Sequence, residues 1–241
     1  MNKLPIKISP CPIIEAAVEL KFSSDLPKGA VFGVLYNSLK DRFGNVEQLP
    51  TSMLPIEAIE NDPNLKYKAQ YKLTDGTFNA QIGYNVVTFH SVGEYVGWQK
   101  FSKNLTMFFD KVEGSGVVSK TEGLLLRYLN LFEVDIYEHI HLRIELMNQE
   151  HISNNLVMRT EIKDGDFTKV LQLANNVTIT SPLGQQKTGS LVDITCVCDR
   201  QDTLQSFSSI IDEAHKMEKE LFFGLLKPEF LKNLKPEYDN G

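Results

Sequence analysis

The sequence feature that most constrains this chain is a nine-residue run near its middle, from Leu124 to Phe132. It is the most apolar run in the chain, yet Arg127 and Asn130 lie inside it. A run this short and bounded by charged residues is typical of a buried strand, since a membrane helix needs about 20 apolar residues. Because an unpaired buried arginine costs several kcal/mol, we expect a carboxylate to lie beside Arg127.

Composition limits the classes to which the protein can belong. Its 241 residues suffice for one large domain or two closely packed halves. The net charge of −6 argues against general nucleic-acid binding, which needs a basic surface. Three cysteines, Cys11, Cys196 and Cys198, suit a reducing compartment. The N-terminus also has no apolar signal-peptide core, so we predict a cytoplasmic protein without a membrane segment.

Alternating apolar and polar residues predict several strands. From Ile14 to Phe22 every second residue is apolar, which indicates one buried and one wet face. Residues 65–91 predict an antiparallel meander with turns at Asp75-Gly76 and at Gly83-Tyr84-Asn85, where glycine and asparagine suit unusual backbone angles. Residues 135–149 fit both a helical stripe and an alternating strand, so both interpretations stay open.

Three longer segments carry apolar residues at helical spacing. They run from about Lys28 to Phe43, from Trp98 to Val112, and from about Asp202 to Phe222. Asp202, with a glutamine three residues later, resembles a capping box at the start of the last helix.

The two halves of the chain, residues 1–116 and 117–241, have the same order of predicted elements. Each half begins with a strand, continues through a helical or ambiguous segment and a meander, and ends with a long helix. We therefore predict an α+β fold built from two pseudo-repeated strand–helix–meander–helix units packed as one compact unit. The units would share an extended antiparallel sheet, with the long helices packed on one face of that sheet.

Three charged residues, Glu15, Arg127 and Asp193, interrupt predicted apolar strands. One interpretation is an ion network that joins the two halves and stabilises them. The other is a ligand site between the halves, in which Asn130 takes part and the planar guanidinium of Arg127 binds an anion.

Aromatic and metal-binding residue types provide further candidates. Tyr95 and Trp98 precede a predicted helix and would either fill the core or, if exposed, contact a partner. A zinc site would need three or four ligands with supporting hydrogen bonds. The only candidates are the pair His139 and His141 and the pair Cys196 and Cys198, which lie far apart in sequence. We therefore predict no metal and no cofactor.

Five short motifs follow one another along nearly the whole chain: Pro12-Ile13-Ile14-Glu15-Ala16, Gln81-Ile82-Gly83-Tyr84-Asn85, Tyr95-Val96-Gly97-Trp98, Arg127-Tyr128-Leu129-Asn130 and Leu191-Val192-Asp193-Ile194. Their order resembles a sporadically distributed family of uncharacterised prokaryotic proteins. The resemblance implies no established activity, and the patchy distribution of the family implies a role in defence or other conflict systems. The family pattern would place a second acidic residue at position 195, where this chain has Thr195, so the resemblance does not imply a carboxylate pair there.

Catalytic motifs are missing from the sequence: it contains no G-x-S-x-G stretch and no phosphate-binding glycine-rich loop. Our first hypothesis is therefore a non-catalytic binding or adaptor protein of a bacterial defence or toxin-control system, with a protein partner or a second copy of the chain as its target. The alternative is a sensor of a small anionic ligand or nucleotide, or a cryptic enzyme, that uses a pocket between the two halves.

Overall fold

The computed structural model describes residues 3–91, 93–147, 149–150, 155–180, 186–198 and 207–239. Within these ranges the strands are β1 (Ile13–Ser23), β2 (Asn45–Gln48), β3 (Tyr71–Thr74), β4 (Phe78–Ile82), β5 (Val86–Ser91), β6 (Lys120–Phe132), β7 (Glu145–Leu146), β8 (Gln149–Glu150), β9 (Val157–Asp164), β10 (Phe167–Thr180) and β11 (Gln186–Cys198). The helices are α1 (Lys28–Leu39), α2 (Ile56–Asn61), α3 (Trp98–Gly114), α4 (Phe207–Leu225) and α5 (Pro228–Asn233).

Nine of these strands form one antiparallel sheet, in the order β2-β3-β4-β5-β1-β6-β11-β10-β9. The predicted α+β fold with one extended antiparallel sheet is confirmed. β1 and β6 lie side by side at its centre, with Val18 opposite Leu126. Among the described helices, none combines the length and the apolar composition needed to cross a bilayer.

The alternating pattern of β1 places its apolar residues in the core, as predicted. Ala16, Val18, Leu20 and Phe22 are fully buried. They belong to one hydrophobic cluster with side chains from three helices, namely Val31 and Leu35 of α1, Phe101, Leu105 and Phe108 of α3, and Ile211 and Ala214 of α4. Burial of this one face explains why the strand tolerates charged residues at the positions between.

Residues 135–149 form neither of the two predicted structures. A short 3-10 helix covers Ile136–His139, and after it only the two-residue strand β7 is regular before residue 147. The segment is held by the end of α4 and the residues after it: the backbone N–H of His141 donates to Leu225, and that of Lys227 donates to His139. Pairing with a distant segment therefore decided a conformation that local periodicity left open. The predicted capping box at Asp202 lies outside the described residues.

The turn predicted at Gly83 is present, but the predicted reason for its glycine is wrong. The backbone N–H of Gly83 donates to Val86 and closes the turn between β4 and β5. Neither Gly83 nor Asn85 has a positive φ. Instead, a Cβ at position 83 would lie 2.6 Å from the carbonyl oxygen of Lys68. Close approach of another chain segment, and not backbone angle, therefore requires the glycine.

Substituting Gly83 tests this explanation. Gly83→Ala is expected to lower the free energy of unfolding by about 1–3 kcal/mol, because a methyl group overpacks a site bounded by backbone. Urea denaturation measures the change. The matched control is Gly33→Ala in α1, where nothing lies within 4 Å of the added Cβ, so a gain of about 0.5–1 kcal/mol is expected. Equal effects of the two variants would contradict the close-approach explanation.

Candidate functional site

Charged side chains cross the middle of the sheet on the face opposite to the buried Val18 and Leu126. We call Glu15, His90, Arg127 and Asp193 the Arg127 cluster; they lie on the four neighbouring strands β1, β5, β6 and β11. The Arg127 guanidinium binds Asp193 with two atoms, Nε–Oδ1 at 2.9 Å and Nη2–Oδ2 at 2.7 Å. Asp193 thus supplies the carboxylate expected beside Arg127. The Arg127 Nη1 also lies 3.8 Å from Glu15 Oε2.

Glu15 is held between two partners. Its Oε1 lies 3.2 Å from Nδ1 of His90. The hydrogen bond with His90 lowers the pKa of Glu15, and the charge of Arg127 adds to this effect against the opposing effect of burial. Arg127 therefore lies beside two carboxylates, and the carboxylate of Asp193 occupies its planar fork.

Asn130, the fourth residue predicted for this network, lies on the other face of the sheet. It is 1% exposed, and its Nδ2 donates to the backbone oxygen of Val192 at 3.1 Å. Its register explains the separation, because residues 127 and 130 of one strand point to opposite faces. The structure thus brings three of the four predicted residues together, and places Asn130 beside a cavity that Tyr95 and Trp98 also line.

This cavity has a volume of about 870 Å³. Five parts of the chain line it: the N-terminal segment between residues 5 and 13, the loop and helix start at 95–100, strand β6, helix α4, and the C-terminal tail. We call it the α4 cavity. Most of its wall is apolar, and a few polar side chains reach it from β6 and α4. A concave apolar space with a few convergent polar groups is typical of a small-molecule site.

A chain of aromatic and polar groups forms one wall of the α4 cavity. The hydroxyls of Tyr95 and Tyr128 lie 3.1 Å apart, and the Tyr128 hydroxyl is 3.3 Å from Nδ1 of His215. The ring of Trp98 stacks on that of His215 with their centroids 3.7 Å apart. Burial lowers the pKa of His215 to about 3, with a smaller contribution from the charge of Lys219. His215 is therefore a neutral ring near pH 7.

Glu218 lies one helical turn after His215 and also faces the α4 cavity. It is only 6% exposed. Its carboxyl group has no hydrogen-bond or ion-pair partner among the described residues. Burial raises the pKa of Glu218 to about 8, against a small opposing effect of Lys219. A buried carboxyl without a partner is costly and is uncommon away from functional sites.

The N-terminal segment covers the cavity because it is paired with the tail. The backbone N–H of Ile6 donates to Glu237 at 2.8 Å, and that of Glu237 donates to Lys7 at 2.8 Å. The N–H of Ser9 donates to Leu234 at 2.7 Å. The two ends of the chain therefore form part of the cavity wall together.

Sequence reasoning missed Tyr128, His215 and Glu218 as site residues. A signal for Glu218 existed: it lies four residues after Ala214 and four before Phe222, within the apolar stripe of α4. A charged residue within such a stripe predicts a buried charge. Tyr128 gave no signal, since a tyrosine within an apolar strand usually fills the core.

Neither metal-ligating residues nor comparison with known proteins assigns a function to the described residues. No group of three or more His, Cys, Asp or Glu residues among the described residues could hold a metal ion. His139 stacks on Phe230 with centroids 4.3 Å apart, and Cys196 and Cys198 are buried. No protein-family model matches the sequence, and no curated protein matches it significantly.

Proposed function

We propose that this chain is a small-ligand-binding protein whose ligand occupies the α4 cavity. The observation that carries the proposal is Glu218, a buried carboxyl that has no partner among the described residues and faces a cavity of about 870 Å³. Desolvating such a group without compensation costs several kcal/mol, and a bound ligand would supply the missing partner. The volume lies within the range of about 300–1,000 Å³ typical of ligand sites.

His215 is not suited to general-base catalysis. A general base needs a pKa close to the operating pH, and burial lowers the pKa of His215 to about 3. Its Nδ1 is also engaged by Tyr128. Arg127, the predicted anion-binding residue, lies on the other face of the sheet and is occupied by Asp193. The predicted protein partner, second copy of the chain and role in defence stay predictions.

The α4 cavity would lie where two related halves meet. We keep the predicted pseudo-repeat as part of the proposal, because β5 of the first half lies beside β1, and β11 of the second half lies beside β6, on the two sides of the β1–β6 pair. In each half the first strand thus pairs with the last strand of its meander. Shared membership of one hydrophobic cluster supports the proposed packing of α1, α3 and α4 on one sheet face.

The fluorescence of Trp98 offers a direct test, since it is the only tryptophan and stacks on His215 at the cavity wall. A small-molecule library is expected to contain compounds that change this fluorescence and raise the melting temperature. A ligand at about 100 times its Kd adds roughly 2.7 kcal/mol to the free energy of unfolding.

Two variants test whether the ligand binds in the α4 cavity. Cys11→Phe adds bulk to the cavity wall and is expected to weaken binding at least about tenfold, whereas Lys163→Ala, at an exposed position of β9, is expected to leave it unchanged. A library in which no compound alters Trp98, or binding that Cys11→Phe leaves intact, would contradict the proposed site.

A further inference from the structure

The unpartnered carboxyl of Glu218 also indicates what kind of ligand the α4 cavity takes. We infer that the ligand carries a protonated amine, which pairs with the Glu218 carboxylate, on an apolar or aromatic body that lies against Trp98. This inference rests on the proposed function and names the ligand class of the same site.

Among the described residues, the only positive charge that acts on Glu218 is that of Lys219. Lys219 is the next residue of α4, is itself half-buried, and forms no ion pair with Glu218. The other titratable groups on the packed elements are neutral or weakly acidic, and burial keeps them so: His215 on α4, Tyr128 on β6, Cys196 on β11, Tyr95 before α3, and Cys11 in the N-terminal segment. Among the described residues no positive group forms an ion pair with Glu218, and a bound cation would supply that counter-charge.

An ammonium group matches what the site lacks. It offers three N–H donors and no acceptor, so it can satisfy carboxylate oxygens that no protein donor reaches. An anionic ligand would instead meet Glu218 as a like charge or require it to stay protonated. The faces of Trp98 and Tyr95 line the same space and would further favour a cation.

The rim of the cavity does not reverse this preference. Lys7 pairs with Glu237 at 3.5 Å, and both side chains are more than half exposed. Lys100 is exposed at the start of α3. Exposed charges are screened by solvent and salt, so the buried carboxyl dominates the selectivity of the interior.

Pairing with an amine also has to release a proton. The pKa of Glu218 in the free protein is about 8, so the carboxyl is mostly protonated near neutral pH. A bound ammonium favours the ionised carboxylate, and the displaced proton goes to the buffer. Affinity for an amine should therefore rise as the pH increases towards that pKa.

Three probes of similar shape and different charge test the inference: phenethylamine, 2-phenylethanol and phenylacetate. Titration calorimetry and Trp98 fluorescence are expected to show that the amine binds at least about tenfold more tightly than the alcohol, and the carboxylate most weakly. Calorimetry in two buffers of different ionisation enthalpy is expected to show proton release for the amine alone.

Matched variants separate the contributions of two glutamates on one helix. Glu218→Gln is expected to abolish the preference for the amine and the proton release, while Glu220→Gln, at an exposed position of α4, keeps both. Tight binding of the alcohol or carboxylate with no gain for the amine would overturn the inference and leave the binding cavity standing. Failure of every compound, charged or neutral, to bind would instead overturn the proposed function and the inference with it.

Discussion

Between about pH 5 and about pH 8, the free energy of unfolding of Glu218→Gln is expected to rise by about 3 to 4 kcal/mol relative to that of the wild-type protein. The folded state raises the pKa of Glu218 from 4.5 to about 8. In the unfolded chain the carboxyl ionises once the pH exceeds its ordinary pKa. In the folded protein it stays protonated until the pH reaches the raised pKa. The wild-type protein therefore loses stability as the pH rises through this window, and glutamine, which resembles the protonated acid, does not.

His215 acts in the opposite direction and has to be separated from Glu218. Its pKa is lowered from 6.5 to about 3, so its neutral ring costs stability as the pH falls below its unfolded value. In the wild-type protein the two effects partly cancel between pH 4.5 and pH 6.5, the ordinary pKa values of the two groups. The difference between wild type and Glu218→Gln at each pH removes the contribution of His215, because both proteins contain it.

Urea denaturation across this pH range measures that difference. The control is Glu220→Gln, whose exposed side chain lies on the same helix, and its difference from wild type is expected to stay flat. A flat difference for Glu218→Gln as well would show that the carboxyl of Glu218 is solvated or paired in solution, which would also remove the basis of the proposed ligand site.

Arg127→Ala is expected to lower the free energy of unfolding by about 3 kcal/mol, the lower end of the range for breaking a buried ion pair. The side chain of Asp193 is only 10% exposed and would lose all three hydrogen bonds from the guanidinium. Arg127 is itself 36% exposed, which limits the loss. Chemical denaturation of the variant and wild type near neutral pH provides the measurement.

Two further variants show whether charge or packing is responsible. Arg127→Met combined with Asp193→Leu removes both charges and is expected to recover most of the loss, to within about 1 kcal/mol of wild type. Arg159→Ala breaks an exposed pair on the edge strand β9, where Arg159 lies 2.6 Å from Glu161, and is expected to cost at most about 0.5 kcal/mol. If Arg127→Ala cost no more than Arg159→Ala, the Arg127 cluster would not stabilise the sheet.

Much of the local structure could be predicted because it depends on periodicity. Alternation in β1 and helical spacing in α3 both follow from which residues must share a buried face. Prediction failed where a distant segment decides the conformation. Residues 135–149 carry two competing periods, and backbone pairing with the segment after α4 selects neither. The need for glycine at position 83 likewise comes from the approach of Lys68.

The candidate site could be predicted only in part for the same reason. Tyr95 and Trp98 were selected as residues that would fill the core or contact a partner, and Asn130 as a polar residue within an apolar strand. All three line the α4 cavity. Arg127 and Asp193 were selected on the same grounds but form a matched pair on the other face of the sheet. Sequence can show that a polar residue lies in an apolar segment, but not which group lies opposite to it.

The sequence by itself determined that β1 and β6 are strands with one apolar face, and that α3 and α4 are amphipathic helices. Solvent exclusion acts on the spacing of apolar residues along the chain, so this information is local. Only the tertiary structure decided that Val18 of β1 lies opposite Leu126 of β6, and that Glu218 faces a cavity with no partner among the described residues. Both depend on which distant surfaces meet, and an unpaired group becomes costly only once those surfaces have excluded water from it.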